Sequence, residues 1–127
     1  MKLIVVGVDG SPVSWRALDR AAELAKLAGS KLVVTSSVPV LIGEPFTGEP
    51  GEELTEARQR LQAHGLDAEL VEAIGDPAEV IAALAERRDA DLIVVGTREP
   101  SLVERLIGGS VSESVQRKAN RDVLIVH

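Results

Sequence analysis

Leu3-Ile4-Val5-Val6-Gly7-Val8-Asp9-Gly10-Ser11-Pro12 is the stretch on which the fold of this chain turns. Leu3 to Val8 carries no polar side chain and does not alternate, which is the pattern of a strand covered on both faces. Ser11 followed by Pro12 reads as an N-cap with proline in the first helical position, where its missing N–H costs nothing. The helix that opens there shows Leu18, Ala21, Ala22 and Ala25 at the i, i+3, i+4, i+7 spacing of one buried face, and Gly29 stands where a left-handed C′ residue closes it. Buried strand, tight turn and capped helix make the first half of a βαβ unit.

The same pattern repeats along the chain. Lys31 to Val38, Leu92 to Gly96 and Val123 to Val126 are further continuous runs of strand length, whereas Asp67 to Ile74 mixes Asp67, Glu69 and Glu72 with Leu66, Ala68, Leu70 and Val71 and suits a half-exposed edge strand. Between them, Glu52 to His64 presents Leu54, Ala57 and Leu61 before Gly65. Asp76-Pro77 with Glu79 opens a helix that turns Val80, Ile81 and Leu84 inward and ends near Arg88, and Ser110 with Glu113 caps a last helix through Lys118. Five strands alternating with four helices predict right-handed crossovers and helices on both faces of a mostly parallel sheet, the α/β doubly wound, Rossmann-like class. Pro39 to Gly51, with three prolines and three glycines and no period, is expected to be a functional loop. No linker or internal repeat divides the chain, so residues 1–127 read as one domain.

Composition narrows the function. At 127 residues there is room for one core and not for two. The apolar runs Leu3 to Val6 and Leu92 to Val95 fall far short of the ~20 residues of a membrane span, and the opening residues lack the length and cleavage site of a secretory signal. A soluble, cytoplasmic protein with no membrane partner is expected. Zero cysteines exclude disulfides and thiolate chemistry, and His64 and His127 form no local ligand pair, so no metal site is expected. A net charge of −6 with scattered Lys and Arg argues against nucleic acid. Trp15 and Phe46 are the only aromatics, so any base bound here rests on aliphatic side chains.

In a doubly wound sheet, ligands sit beyond the carboxyl ends of the strands where the strand order reverses. Those places are Gly7-Val8-Asp9-Gly10-Ser11 and Gly96-Thr97-Arg98-Glu99, the second leading on to Gly108-Gly109-Ser110. A helix start after glycines offers unpaired N–H groups and partial positive charge to a phosphate, although glycine before a capped helix is also ordinary turn chemistry. Neither GxxxxGK[ST] nor GxGxxG occurs.

GVDGS at 7–11, GDPAEVI at 75–81, and DLIVVGTR at 91–98 followed by IGGSVSESV at 107–115 resemble the universal stress protein family over nearly the whole chain. The resemblance implies a five-stranded sheet of order 3-2-1-4-5, consistent with the polar third strand at an edge, and a homodimer paired through the last strand. The ATP-binding branch of that family carries Gly, two residues, Gly, nine residues, Gly, then Ser or Thr. Gly96, Gly109 and Ser110 match this at the right spacing, while Glu99 replaces the second glycine. Position by position, the resemblance puts Asp9 and Val38 near ribose and adenine, Gly96 and Arg98 along the phosphate loop, and Gly109, Ser110, Val111 and Ser112 on phosphate oxygens, with ATP as ligand, with or without Mg2+. Plainer roles stand beside these: Asp9 closing an Asx turn before Ser11, Val38 as a strand-end core residue, Arg98 solvated beside Glu99, and Ser110 as a cap.

No nucleophile, base and orienting acid assemble, so the reading is a nucleotide-binding or sensing module in stress physiology and not an enzyme. The alternative is a dimeric interaction or regulatory module of the same fold that binds no nucleotide, with Glu99 as the discriminating residue. A third reading is slow ATP hydrolysis, which an assay showing no phosphate release above a protein-free control would discard. The protein partner and the particular stress are not legible.

Overall fold

β1 (Leu3–Gly7) lies at the centre of a sheet ordered β3-β2-β1-β4-β5, as expected. The computed structural model describes residues 1–38, 51–97, 103, 106, 107 and 120–127, Ser37 and Val38 by their backbone alone. The other elements are α1 (Pro12–Ala28), β2 (Lys31–Val38), α2 (Glu52–Ala63), β3 (Glu69–Ile74), α3 (Pro77–Arg87), β4 (Leu92–Gly96) and β5 (Asp122–Val126). All four strand pairs are parallel, with Val5 opposite Val33 on one side and Ile93 on the other. The helix expected from Ser110 through Lys118 lies outside the described residues, as does nearly all of the Pro39 to Gly51 loop.

Period-two alternation along β1 divides the core into two layers. Ile4, Val6 and Val8 pack with Leu18, Ala21 and Ala22 of α1 and Leu54, Ala57 and Leu61 of α2. Val5 turns the other way, onto Ile81, Ala82 and Ala85 of α3 and the neighbouring Val33 and Ile93. Alanines on α1 and α3 let these helices lie close to the sheet, and each large side chain fully buried between layers stabilises by about 1.5–3 kcal/mol. β2 spans Lys31–Val38 and is covered on both faces, as expected, with the polar Thr35 and Ser36 buried beside Leu32, Val33 and Val34. β3 starts at Glu69, two residues later than the alternation suggested, and sits at the rim. The Arg88 guanidinium reaches across to both oxygens of Glu69 there.

The caps follow the local sequence. Ser11 accepts from the Ser14 N–H at 3.2 Å, Asp76 accepts from that of Glu79 at 3.1 Å, and Gly29 at φ 67° ends α1 in the left-handed region. α2 is different. Its N-cap, Gly51, has no capping side chain, and Glu72 of β3 accepts the Gly51 N–H instead. A carboxylate at that end also complements the helix dipole. The outer layer is tied by Arg60 of α2, 4.7 Å above the Trp15 ring, and by His64 Nε2, 3.1 Å from Asp19 Oδ1.

At the amino ends of the strands, Asp91 Oδ2 accepts from the N–H groups of Lys2 at 2.6 Å and Leu3 at 3.0 Å. The Asp91 N–H donates to the Leu3 carbonyl at 2.9 Å, so the start of β1 is clamped to the turn before β4. The Leu3 bond first, and the Lys2 bond next, hold the Asp91 carboxyl below its ordinary 3.8. A carboxyl with a depressed folded value adds stability above its unfolded value and loses that contribution as pH falls through the folded one. Asp91→Asn is therefore expected to flatten the acid limb of stability below about pH 4. Chemical denaturation at pH 3 and pH 6 measures this, and an unchanged difference between the two pH values contradicts it.

Candidate functional site

Beyond Gly7 the chain leaves the sheet through a turn organised by Asp9. Its Oδ1 accepts from the Ser11 N–H at 2.9 Å and from the Ser11 hydroxyl. Ser14 Oγ accepts from the Asp9 N–H at 3.3 Å and donates to the Ser11 carbonyl at 2.9 Å. Gly10 at φ 84° takes the conformation that L side chains resist. The plainer role weighed for Asp9 is therefore present, on an exposed residue at the carboxyl end of β1. The two roles are compatible, because an Asx turn presets the orientation a ligand would meet.

β2 and β4 end on either side of this turn. The Val8 N–H donates to the Thr35 carbonyl at 3.0 Å, carrying the β1–β2 ladder past Gly7, and β2 runs on to Val38. On the other side, Gly96 closes β4 against the first turn of α1. A Cβ there would lie 3.0 Å from the Val13 carbonyl oxygen and 3.1 Å from its carbon. Backbone yields less readily than a side-chain tip, so packing against α1 favours glycine at this position whatever else it does. The Thr97 N–H then reaches the Val126 carbonyl at 3.1 Å.

Asp9, Val38 and Gly96 are thus brought to one edge by three adjacent strands, β2, β1 and β4. Arg98, Gly109, Ser110, Val111 and Ser112 lie outside the described residues, as does Glu99. Beside the turn, a shallow depression of about 560 Å³ over the start of α1 is lined by Gly10, Ser11, Pro12, Val13 and Arg16. Its volume falls within the range of small-ligand sites. Arg16 Nε donates to the His127 carbonyl at 3.2 Å, which fixes this cation at the margin. The arrangement brings together a carboxylate held in a turn, the backbone end of a neighbouring strand, and a cation at the margin. Among the described residues no group of three or more His, Cys, Asp or Glu could hold a metal ion, and no helix is long and apolar enough to cross a membrane.

Sequence reasoning missed Glu53, whose side chain lies over the turn, with Cγ 3.4 Å from where a Gly10 Cβ would stand. It is far from Asp9 in sequence, and first-turn acids are common on any helix, so no local signal pointed to it.

Residues 1–127 match the universal stress protein family. A universal stress protein of Mycobacterium tuberculosis (strain H37Rv) is 38% identical over 143 aligned positions, covering 99% of this chain and 96% of that protein. Among solved structures, a universal stress protein in complex with cAMP superposes with a TM-score of 0.76 at 33% identity, covering 99% of this chain and 97% of that one. The universal stress protein from Archaeoglobus fulgidus in complex with dAMP superposes with a TM-score of 0.76 at 30% identity, covering 100% and 98%.

Proposed function

Because this chain belongs to the universal stress protein family, we propose that it is a cytoplasmic nucleotide-binding or sensing module of a stress response, acting as a homodimer and taking an adenine nucleotide. The observation that carries this reading is the convergence of Asp9, the end of β2 and Gly96 on one sheet edge. The relatives in complex with cAMP and dAMP support the ligand class. Asp9 accepts from ribose hydroxyls, and the Val38 backbone meets the adenine edge. Gly96 and Arg98 border the phosphates, whose oxygens Gly109, Ser110, Val111 and Ser112 hold. Mg2+, where it accompanies ATP, enters on the phosphates, the ordinary mode for this ion. The site binds; it moves no proton and forms no bond, so phosphate release from ATP is expected to equal a protein-free control. Native mass spectrometry of protein purified without added nucleotide tests subunit number and retained ligand together. A dimer that neither retains nor takes up nucleotide favours the interaction module instead.

Glu99 tunes this site. A glutamate lacks glycine's access to positive φ, and its carboxylate stands near bound phosphates as a like charge. A glutamate with access to water avoids most of the ~4 kcal/mol of two charges fixed at 4 Å, which leaves a penalty on the order of 1 kcal/mol. Calorimetry with ATP and magnesium is expected to show Glu99→Gly binding about five-fold more tightly than the wild type. Equal, tight binding by both overturns the role given to Glu99.

A further inference from the structure

Ile74 closes β3 at the carboxyl edge of the sheet with 53% of its surface exposed, among a few large apolar residues so exposed in the described chain. Another, Leu27, lies in the last turn of α1. Ile74 is uncovered for a definite reason. By strand alternation it shares a face with Leu70 and Glu72, and Leu70 is packed under the α1–α2 layer. That layer stops at Glu72, whose carboxylate accepts the N–H of Gly51, the residue from which α2 starts. Two residues further along β3, about 6.6 Å, Ile74 stands past the start of α2. Gly75, at φ 138°, then turns the chain away.

The strand partner of Ile74 is Val38, in the last register pair of β2 and β3. We infer that Ile74 is the aliphatic wall of the base subsite, the surface on which a purine held at the Val38 backbone lays its ring. This rests on the adenine-nucleotide reading above and adds to it the residue that recognises the base. Among the described residues Trp15 is the one aromatic, and it is buried beneath Arg60, so none of them offers an open stacking platform. A β-branched side chain with restricted χ1 gives a planar ring a surface already in place, at little cost in side-chain entropy.

The test is calorimetry of AMP and of ribose 5-phosphate with the wild type, Ile74→Ala and Ile74→Tyr. Both substitutions are at an exposed strand end, and tyrosine is at home in strands. Removing the aliphatic surface is expected to weaken AMP binding roughly 5- to 20-fold, and the tyrosine to strengthen it several-fold by stacking. Ribose 5-phosphate, which has no base, is expected to bind all three alike. Wild-type binding of AMP that neither variant changes overturns the role of Ile74 and leaves the nucleotide reading standing. Equal losses for both ligands assign Ile74 to the shape of the whole edge and overturn a base-specific role. A wild type that binds no AMP overturns the nucleotide reading and this inference with it.

Discussion

Val5→Asp leaves no folded protein at neutral pH. Val5 is fully buried in the central strand, flanked by Val33 and Ile93 and covered by α3, with Ile81 and Ala82 in the same cluster. The side chains clustered around Val5 are apolar, so the carboxylate would be desolvated with little compensation. The penalty, several kcal/mol even after relaxation, is comparable to the whole ~5–15 kcal/mol that holds a domain of ordinary stability. Protonation is the way out. Burial raises the folded pKa of such a group, so what stability the variant has is present below the unfolded carboxyl value and is lost as pH rises above it. Far-ultraviolet dichroism and thermal melting at pH 7 are expected to show an unfolded chain. A melting temperature equal to the wild type's would mean that β1 is not the closed centre described here.

Leu124→Pro is expected to convert the proposed dimer to a monomer. β5 is the last strand in the sheet order and, among the described strands, pairs only with β4. Val123, Leu124 and Ile125 remain partly exposed, where the corresponding Ile93, Val94 and Val95 of β4 are closed off. An edge of apolar residues with a free row of N–H and C=O groups invites another strand. Antiparallel pairing about a two-fold axis satisfies both copies at once and goes no further. Proline in the middle of this strand removes a donor and fixes φ where the ladder needs freedom. Light scattering on a variant that keeps wild-type dichroism reads the outcome, and a folded variant that still runs as a dimer moves the interface elsewhere.

The parts of the fold legible in the sequence were those whose cause is local. Ser11-Pro12 and Asp76-Pro77 announce helix starts because capping is settled within one turn, and β1 announces its central place because two buried faces leave no polar position. The covering of β2 was legible in the same way and extends to the polar Thr35 and Ser36, although residue type alone does not require their burial. Asp91 on the Lys2 and Leu3 N–H groups, and Glu72 on that of Gly51, join elements far apart in sequence and leave no period to detect. The site divides the same way. Asp9 and Gly96 follow from the strand-end rule, while Glu53 and Ile74 become visible only when the start of α2 and the end of β3 have been placed.

The stacking of Arg60 over Trp15 gives the protein an internal optical probe. With a single tryptophan and no tyrosine, near-ultraviolet absorption and emission belong almost wholly to one indole. It lies in the first turns of α1, the helix capped by Ser11 of the Asp9 turn, and its ring is held under a guanidinium from α2. Emission wavelength and quenching therefore report how α2 seats on α1, the same α2 whose start is pinned to β3 beside the proposed base subsite. Ligand entry at that edge is measurable by fluorescence titration of the unlabelled protein, with excitation chosen away from the absorption of adenine.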